Sequence, residues 1–235
     1  RLDTFEKQLS ELVTLEADNL DVMRLQVVSA QKRGDNQSAL RLLETIFLQE
    51  PTTSNVIALA AQQQSDGNVS SAIAQLHGWL EDHANDVKAR ENLAEIYGSN
   101  NQVREVVYQY REILKLDPEH VMALNNLAWY LLEDNPSQAL DLANMANRVS
   151  PDSGYILDTL AMAQMKNNKL IEARRSIDRA LILAPENLEM IFHEAQLRAA
   201  EGDTSGAIDA LNSLISEHTN FSKRAEAESI LKRLK

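Results

Sequence analysis

Three prolines set the scale of this chain. Pro118, Pro151 and Pro185 stand 33 and 34 residues apart, and each closes a stretch with helical spacing of apolar residues. Val121–Glu186 reads as two successive helical hairpins, with Ala128 and Ala161 at matching places in the first helices and Ala139 and Ala173 in the second. A self-similar period of this length, with two amphipathic helices per unit, constrains the fold strongly. No unit can bury its apolar face alone, so neighbours must stack into a continuous core. The recurring alanines have a steric reason: paired helices pack about 8–10 Å apart, and a large side chain at the crossing would push them apart. The prolines stop the second helix because they cannot donate the next backbone hydrogen bond.

Six units in register follow from this pattern, at 20–52, 53–86, 87–120, 121–153, 154–187 and 188–221. In the first, Gly34-Asp35 separates the helices and Ala39 opens the second helix; Pro51 ends the unit. The second has Ala60, Asp66-Gly67 and Ala72, with Ala84 where a proline is expected. The third has Leu93, Ala94, Tyr97 and Asn100-Asn101, and Val106 stands for the small residue. The fourth is one residue shorter, with Asn135 as N-cap and Pro136 at the first helical position. The fifth carries Leu157, Leu160, Ala161, Asn168, Ala173 and Ala180. The sixth carries Ala195, Gly202-Asp203, Ala207 and Leu214, with Thr219 in place of proline. Glycine at the end of a first helix accepts the positive φ that a tight C-terminal turn requires.

The ends read differently. Residues 1–19 form a single helix, the second half of an interrupted repeat, with Phe5, Leu9, Leu12 and Val13 on one stripe. That stripe, within 1–17, is expected to seek a substitute partner, including another copy of the chain. Residues 222–235 form one helix with Ala227, Ile230, Leu231 and Leu234 inward and charges outward, as a solenoid's closing helix requires. RLDTFEKQLS, with neither initiator Met nor signal peptide, is expected to be the edge of a fragment or processed form; the C-terminus is expected to be a true end.

Composition narrows the function classes. Leu and Ala dominate and β-branched runs are nearly absent, which favours an all-α chain. There is no cysteine, so disulfides, thiolate catalysis and zinc–thiolate sites are excluded. The net charge of −12 argues against nucleic acid and against anionic membrane surfaces. No apolar run is long enough to insert in a bilayer. His77, His83, His120, His193 and His218 are scattered over different repeats and read as solvated or packing histidines, without metal-ligand spacing. No nucleophile motif or Gly-rich phosphate loop occurs. The expectation is of no catalytic residues, no metal and no cofactor.

The 33–34-residue register, with its alanines, turns and prolines, resembles the tetratricopeptide repeat (TPR) over nearly the whole chain. The resemblance implies an α-solenoid superhelix of antiparallel hairpins, in which the first helix of each unit lines a concave groove that binds peptides or partner helices. By that resemblance the groove positions are Asp21, Arg24 and Val28; Ser54, Ile57 and Ala61; Lys88, Glu91 and Glu95; Met122, Asn125 and Trp129; Tyr155, Asp158, Met162 and Met165; and Glu189, Phe192 and Gln196. Some TPR proteins hold a ligand's terminal carboxylate with Lys and Asn at these places. Here Val28, Ala61, Glu95, Trp129, Met162 and Gln196 stand at the Asn position, so that clamp is absent.

The expected partner-binding groove comprises Trp129, Asn125, Met122, Tyr155, Asp158, Met162, Met165, Glu91 and Glu95. Trp129, Tyr155, Met162 and Met165 have two readings, anchors on an accessible face or packing between helices. Asn125 and Asp158 are expected to offer polar groups beside Trp129, and Glu91 and Glu95 to favour a ligand with Lys or Arg at one end.

NNLAW (Asn125–Trp129), LDTLA (Leu157–Ala161) and FSKRAEAESILKRL (Phe221–Leu234) resemble the C-terminal part of long TPR proteins of the bacterial PEP-CTERM/exosortase system, linked with exopolysaccharide production and including many lipoproteins. That resemblance implies a protein-binding scaffold in the bacterial envelope, periplasmic or outer-membrane-associated. A cytoplasmic location, a structural spacer without a groove ligand, and an accessory part of a larger enzyme or secretion complex remain as alternatives.

Overall fold

The computed structural model describes residues 2–235 and folds them into α-helices, with no strand among the described residues. In order these are α1 (Leu2–Leu15), α2 (Leu20–Arg33), α3 (Asn36–Gln49), α4 (Thr53–Ser65), α5 (Val69–Asp82), α6 (Val87–Ser99), α7 (Val103–Leu116), α8 (Val121–Tyr130), α9 (Pro136–Val149), α10 (Gly154–Lys166), α11 (Leu170–Leu183), α12 (Leu188–Glu201), α13 (Thr204–Glu217) and α14 (Arg224–Leu234). They divide into two compact units, one ending at Gln109 and the other running Tyr110–Lys235, so the boundary falls inside α7.

In the first unit α2 pairs with α3 and α4 with α5, while α6 lies against both α4 and α5. Ala39, Ala72 and Val106 are fully buried. The stripe of α1 splits. Leu9 is buried and α1 packs on α2, whereas Leu12 is exposed. Glu6 accepts hydrogen bonds from the Ser29 hydroxyl at 2.6 Å and from Arg33 at 2.8 Å. Part of the stripe is thus covered within the chain, where α2 presents Ser29 and Arg33 to fasten the helix beside it, and Leu12 stays uncovered.

Asp86 joins three helices of this unit. It caps α6 through the backbone N–H of Ala89 at 3.1 Å, and accepts from the Thr53 hydroxyl of α4 at 2.5 Å and the Trp79 indole of α5 at 2.7 Å. Burial works to raise its carboxyl pKa, but the hydrogen bonds from Thr53, Trp79 and the backbone outweigh it and hold the value below the ordinary 3.8. A depressed folded-state value means that the ionised form stabilises the fold. That stability is fully present above the ordinary value and is lost as pH falls through the folded one. Asp86→Ala is expected to cost about 2–4 kcal/mol near neutral pH, from a lost cap and two charge-assisted bonds. The gap from the parent should shrink in urea titrations run progressively below pH 4; a constant gap would show that the carboxylate's charge plays no part.

The second unit repeats one motif. α8 pairs with α9, α10 with α11 and α12 with α13; α9 meets α10, α11 meets α12, and the first helices α8, α10 and α12 meet in sequence. Ala139, Ala173 and Ala207 have no exposed surface, and Ala128, Ala161 and Ala195 no more than 1%. α14 closes the stack, with Phe221, Ala227 and Ile230 packed on Phe192, Ala195, Leu211 and Leu214.

The turns inside the hairpins carry the left-handed residue that their sequence implies: Gly34, Gly67, Asn101, Asn168 and Gly202, at φ between 56° and 87°. The fourth hairpin does without one. Its first helix, α8, has 10 residues where α10 has 13. Leu131 and Leu132 continue as a turn with both side chains buried, and the Asn135 side chain accepts from the Gln138 N–H at 3.2 Å. The single missing residue of this repeat is thus absorbed at the end of α8. Asn167, at the end of α10, ties down the start of α9 by donating to the carbonyl of Pro136 at 2.7 Å.

Candidate partner-binding groove

Within the second unit the first helices and α14 enclose an open pocket of about 610 Å³. α8 contributes Trp129, with Leu132 and Glu133 from the turn after it. α10 contributes Met162, Met165 and Lys166, and α12 contributes Phe192, His193, Gln196 and Ala199. The opposite wall is Lys223 with Glu226, Ile230, Arg233 and Leu234 of α14. The register explains the first wall: Trp129, Met162 and Gln196 occupy equivalent places in successive first helices, and stacking brings equivalent places side by side.

His193 organises the floor. It is buried, and its Nδ1 lies 2.9 Å from each carboxylate oxygen of the equally buried Asp158. An ionised carboxylate can only accept, so Nδ1 carries the proton and Nε2 is left for another partner. No group among the described residues engages Nε2. The Trp129 ring lies against the imidazole, with centroids 5.3 Å apart, and Phe192 flanks it at 5.9 Å. Trp129 is half-buried, and its indole N–H has no acceptor among the described residues.

The charges on the rim are unequally committed. Glu133 pairs with Lys166 at 2.5 Å, and Glu226 accepts from Gln196 at 3.4 Å. Lys223, half-buried, and Arg233, exposed, have no ion pair among the described residues.

The residues expected at the groove separate on this evidence. Trp129, Met162 and Met165 line the pocket, but Met162 is only 6% exposed and serves as wall. Asp158 does not present its carboxylate beside Trp129; it is spent on His193, and the imidazole is the polar group that faces the pocket. Asn125 donates to Asn126 at 3.3 Å, and its buried Oδ1 has no partner. Met122 and Tyr155 are 59% and 69% exposed and outside the lining. Glu91 and Glu95 belong to α6 of the first unit, and the lining holds neither. His193 and the whole α14 wall were missed by sequence reasoning. The available signal was a complementary Asp/His pair 35 residues apart, one more than the period, which puts them on adjacent first helices.

A second pocket, of about 560 Å³, lies among α1, α2 and α3 of the first unit. It holds no aromatic side chain, and its Arg33 is committed to Glu6 at 2.8 Å. No group of three His, Asp or Glu side chains among the described residues is placed to hold a metal ion, and no described helix is long and apolar enough to cross a membrane.

Residues 159–221 match the family model described as tetratricopeptide repeat. No curated protein matches the chain. Among solved structures it is similar to a tetratricopeptide repeat protein from Parabacteroides merdae, at 18% identity and a TM-score of 0.71, over 84% of this chain and 79% of that one. It is similar to PilF of Pseudomonas aeruginosa at 17% identity and a TM-score of 0.67, over 89% of this chain and 96% of the other. YrrB, a TPR protein with an unusual peptide-binding site, aligns at 15% identity and a TM-score of 0.59, over 80% of this chain and 97% of its own. At these identities the likeness is one of fold, and together with the matched stretch it makes this chain an all-helical solenoid of the tetratricopeptide-repeat type.

Proposed function

We propose that this chain is a non-catalytic protein–protein interaction scaffold, and that the groove of its second unit takes a segment of the partner with Trp129 as the anchor. The observation that carries this reading is the state of Trp129. A half-buried indole in an open groove, with its N–H unengaged and an unengaged imidazole nitrogen beside it, offers apolar area and two directional polar atoms to a ligand. Rigid aromatic groups of this kind are the usual centres of binding energy, because little side-chain entropy is lost on contact. The fold agrees, since TPR solenoids bind protein or peptide partners and YrrB, of similar fold, has a peptide-binding site.

The wider setting that we propose is the bacterial envelope, periplasmic or outer-membrane-associated, in an exopolysaccharide or protein-sorting assembly. Its support is the resemblance of NNLAW, LDTLA and the Phe221–Leu234 tail to the PEP-CTERM/exosortase TPR proteins. Cell fractionation with an antibody to the chain tests it, and recovery wholly in the cytosol would refute it.

The groove reading is tested by selecting binders from a displayed random-peptide library on the intact chain and re-measuring them on Trp129→Ala. The expected result is a loss of about thirtyfold or more in affinity, with a stability cost of only about 1–2 kcal/mol, since the indole is half-exposed. Binders indifferent to the substitution, or a stability loss typical of a core tryptophan, would overturn it.

A further inference from the structure

α14 is more than a cover for the last repeat. Its inner stripe, Ala227 and Ile230, docks on α12 and α13, and that docking turns Lys223, Glu226 and Arg233 toward the groove. The lining then holds three cations, Lys166, Lys223 and Arg233, and two carboxylates, Glu133 and Glu226. Lys166 and Glu133 neutralise each other, and Glu226 accepts from Gln196. Arg224, just outside, is occupied by Glu228 at 3.0 Å. The two cations left without a carboxylate therefore stand on one wall of an apolar groove, in a chain whose net charge is −12. Carboxylates are abundant in this protein, and none among the described residues pairs with Lys223 or Arg233.

We propose that the groove takes an acidic peptide segment: an apolar or aromatic side chain seats among Trp129, Met162 and Ile230, and carboxylates flanking it pair with Lys223 and Arg233. This rests on the groove reading above and specifies its ligand. Charge complementarity selects the occupant, because a basic segment would leave both cations facing like charge in a partly desolvated site. His193 adds a fixed polar contact on the floor. Held at Nδ1 by Asp158, it leaves Nε2 to hydrogen-bond the segment.

The test uses the intact chain and three sets of short fluorescein-labelled peptides with a central Phe or Trp, flanked by Asp/Glu, by Asn/Gln or by Lys/Arg. Anisotropy should rank the acid-flanked set first, with an advantage that falls as salt rises. Lys223→Glu combined with Arg233→Glu should weaken the acid-flanked set by about tenfold or more and strengthen the Lys/Arg set, while leaving the Asn/Gln set unchanged. Lys223 is the half-buried residue just before α14 and Arg233 an exposed one in its last turn, and a matching circular dichroism melt checks that α14 stays in place. Equal, Trp129-dependent binding by all three sets would overturn the acidic-ligand inference and leave the groove reading standing. No Trp129-dependent binding by any set would overturn both. Self-association abolished by Trp129→Ala, with no peptide bound, would mean that the occupant is a second copy and would likewise overturn the proposal.

Discussion

Replacing Phe192 by alanine is expected to remove about 3–5 kcal/mol of stability, the range for truncating a buried aromatic in a core that relaxes only partly. Phe192 is 1% exposed, and its ring meets Phe221 edge-on, with centroids 5.7 Å apart at 64°. Around it lie Ala195, Leu211, Leu214, Ala227 and Ile230. This one side chain therefore connects α12 to α13 and to the segment that leads into α14. The loss should fall hardest on the end of the chain. Hydrogen exchange should show α14 losing protection before α8 or α10, because contacts in a stacked array reach only neighbouring elements. A urea midpoint lowered by less than the equivalent of about 1 kcal/mol would mean that α14 is not held through Phe192. Contrast with Trp129→Ala is the informative pairing: both residues line the same groove, but one is structure and the other is surface.

Asp158→Ala carries the second large effect, about 3 kcal/mol or more, in the range for removing one partner of a buried pair. The imidazole of His193 is buried with its Nδ1 directed only at Asp158, so truncation strands the N–H away from water. Asp158→Asn should cost less, since its amide oxygen still accepts. The decisive variant is the double replacement Asp158→Leu with His193→Phe. Apolar groups of similar volume remove both polar partners at once, and most of the lost stability should return. Chemical denaturation of the three variants measures this. A double variant as unstable as Asp158→Ala would show that the damage comes from packing rather than from a stranded polar group.

The groove was partly legible in advance, for a reason that belongs to repeats. Trp129 and Met162 are equivalent positions of adjacent units, so knowing the period is enough to put them side by side. Met122 and Tyr155 obey the same arithmetic yet lie outside the pocket, at the exposed start of their helices. Period alone cannot tell how deep along a helix the neighbouring elements reach. Asp158 shows the other gap. It sits at a groove position, but its chemistry is decided by a histidine one residue out of step with the repeat. Glu91 and Glu95 suggested a ligand with Lys or Arg at one end, but they lie on α6 outside the lining, whereas the wall beside α14 carries Lys223 and Arg233.

What the sequence by itself determined is the local unit: the hairpin, its alanine crossings, its left-handed turn and its terminal proline. All of these depend on residues within one period or its immediate neighbour, and backbone sterics and helix packing decide them with little reference to the rest of the chain. The tertiary structure decided three further matters. It brought Asp158 and His193 together, cut the compact units between Gln109 and Tyr110, and turned a closing helix into a groove wall. Each depends on the rotation of one helix against another after docking. That rotation is set by how side chains of particular size interdigitate, as Phe192 does with Phe221 and Ala227, and hydrophobic spacing along a single helix carries no record of it.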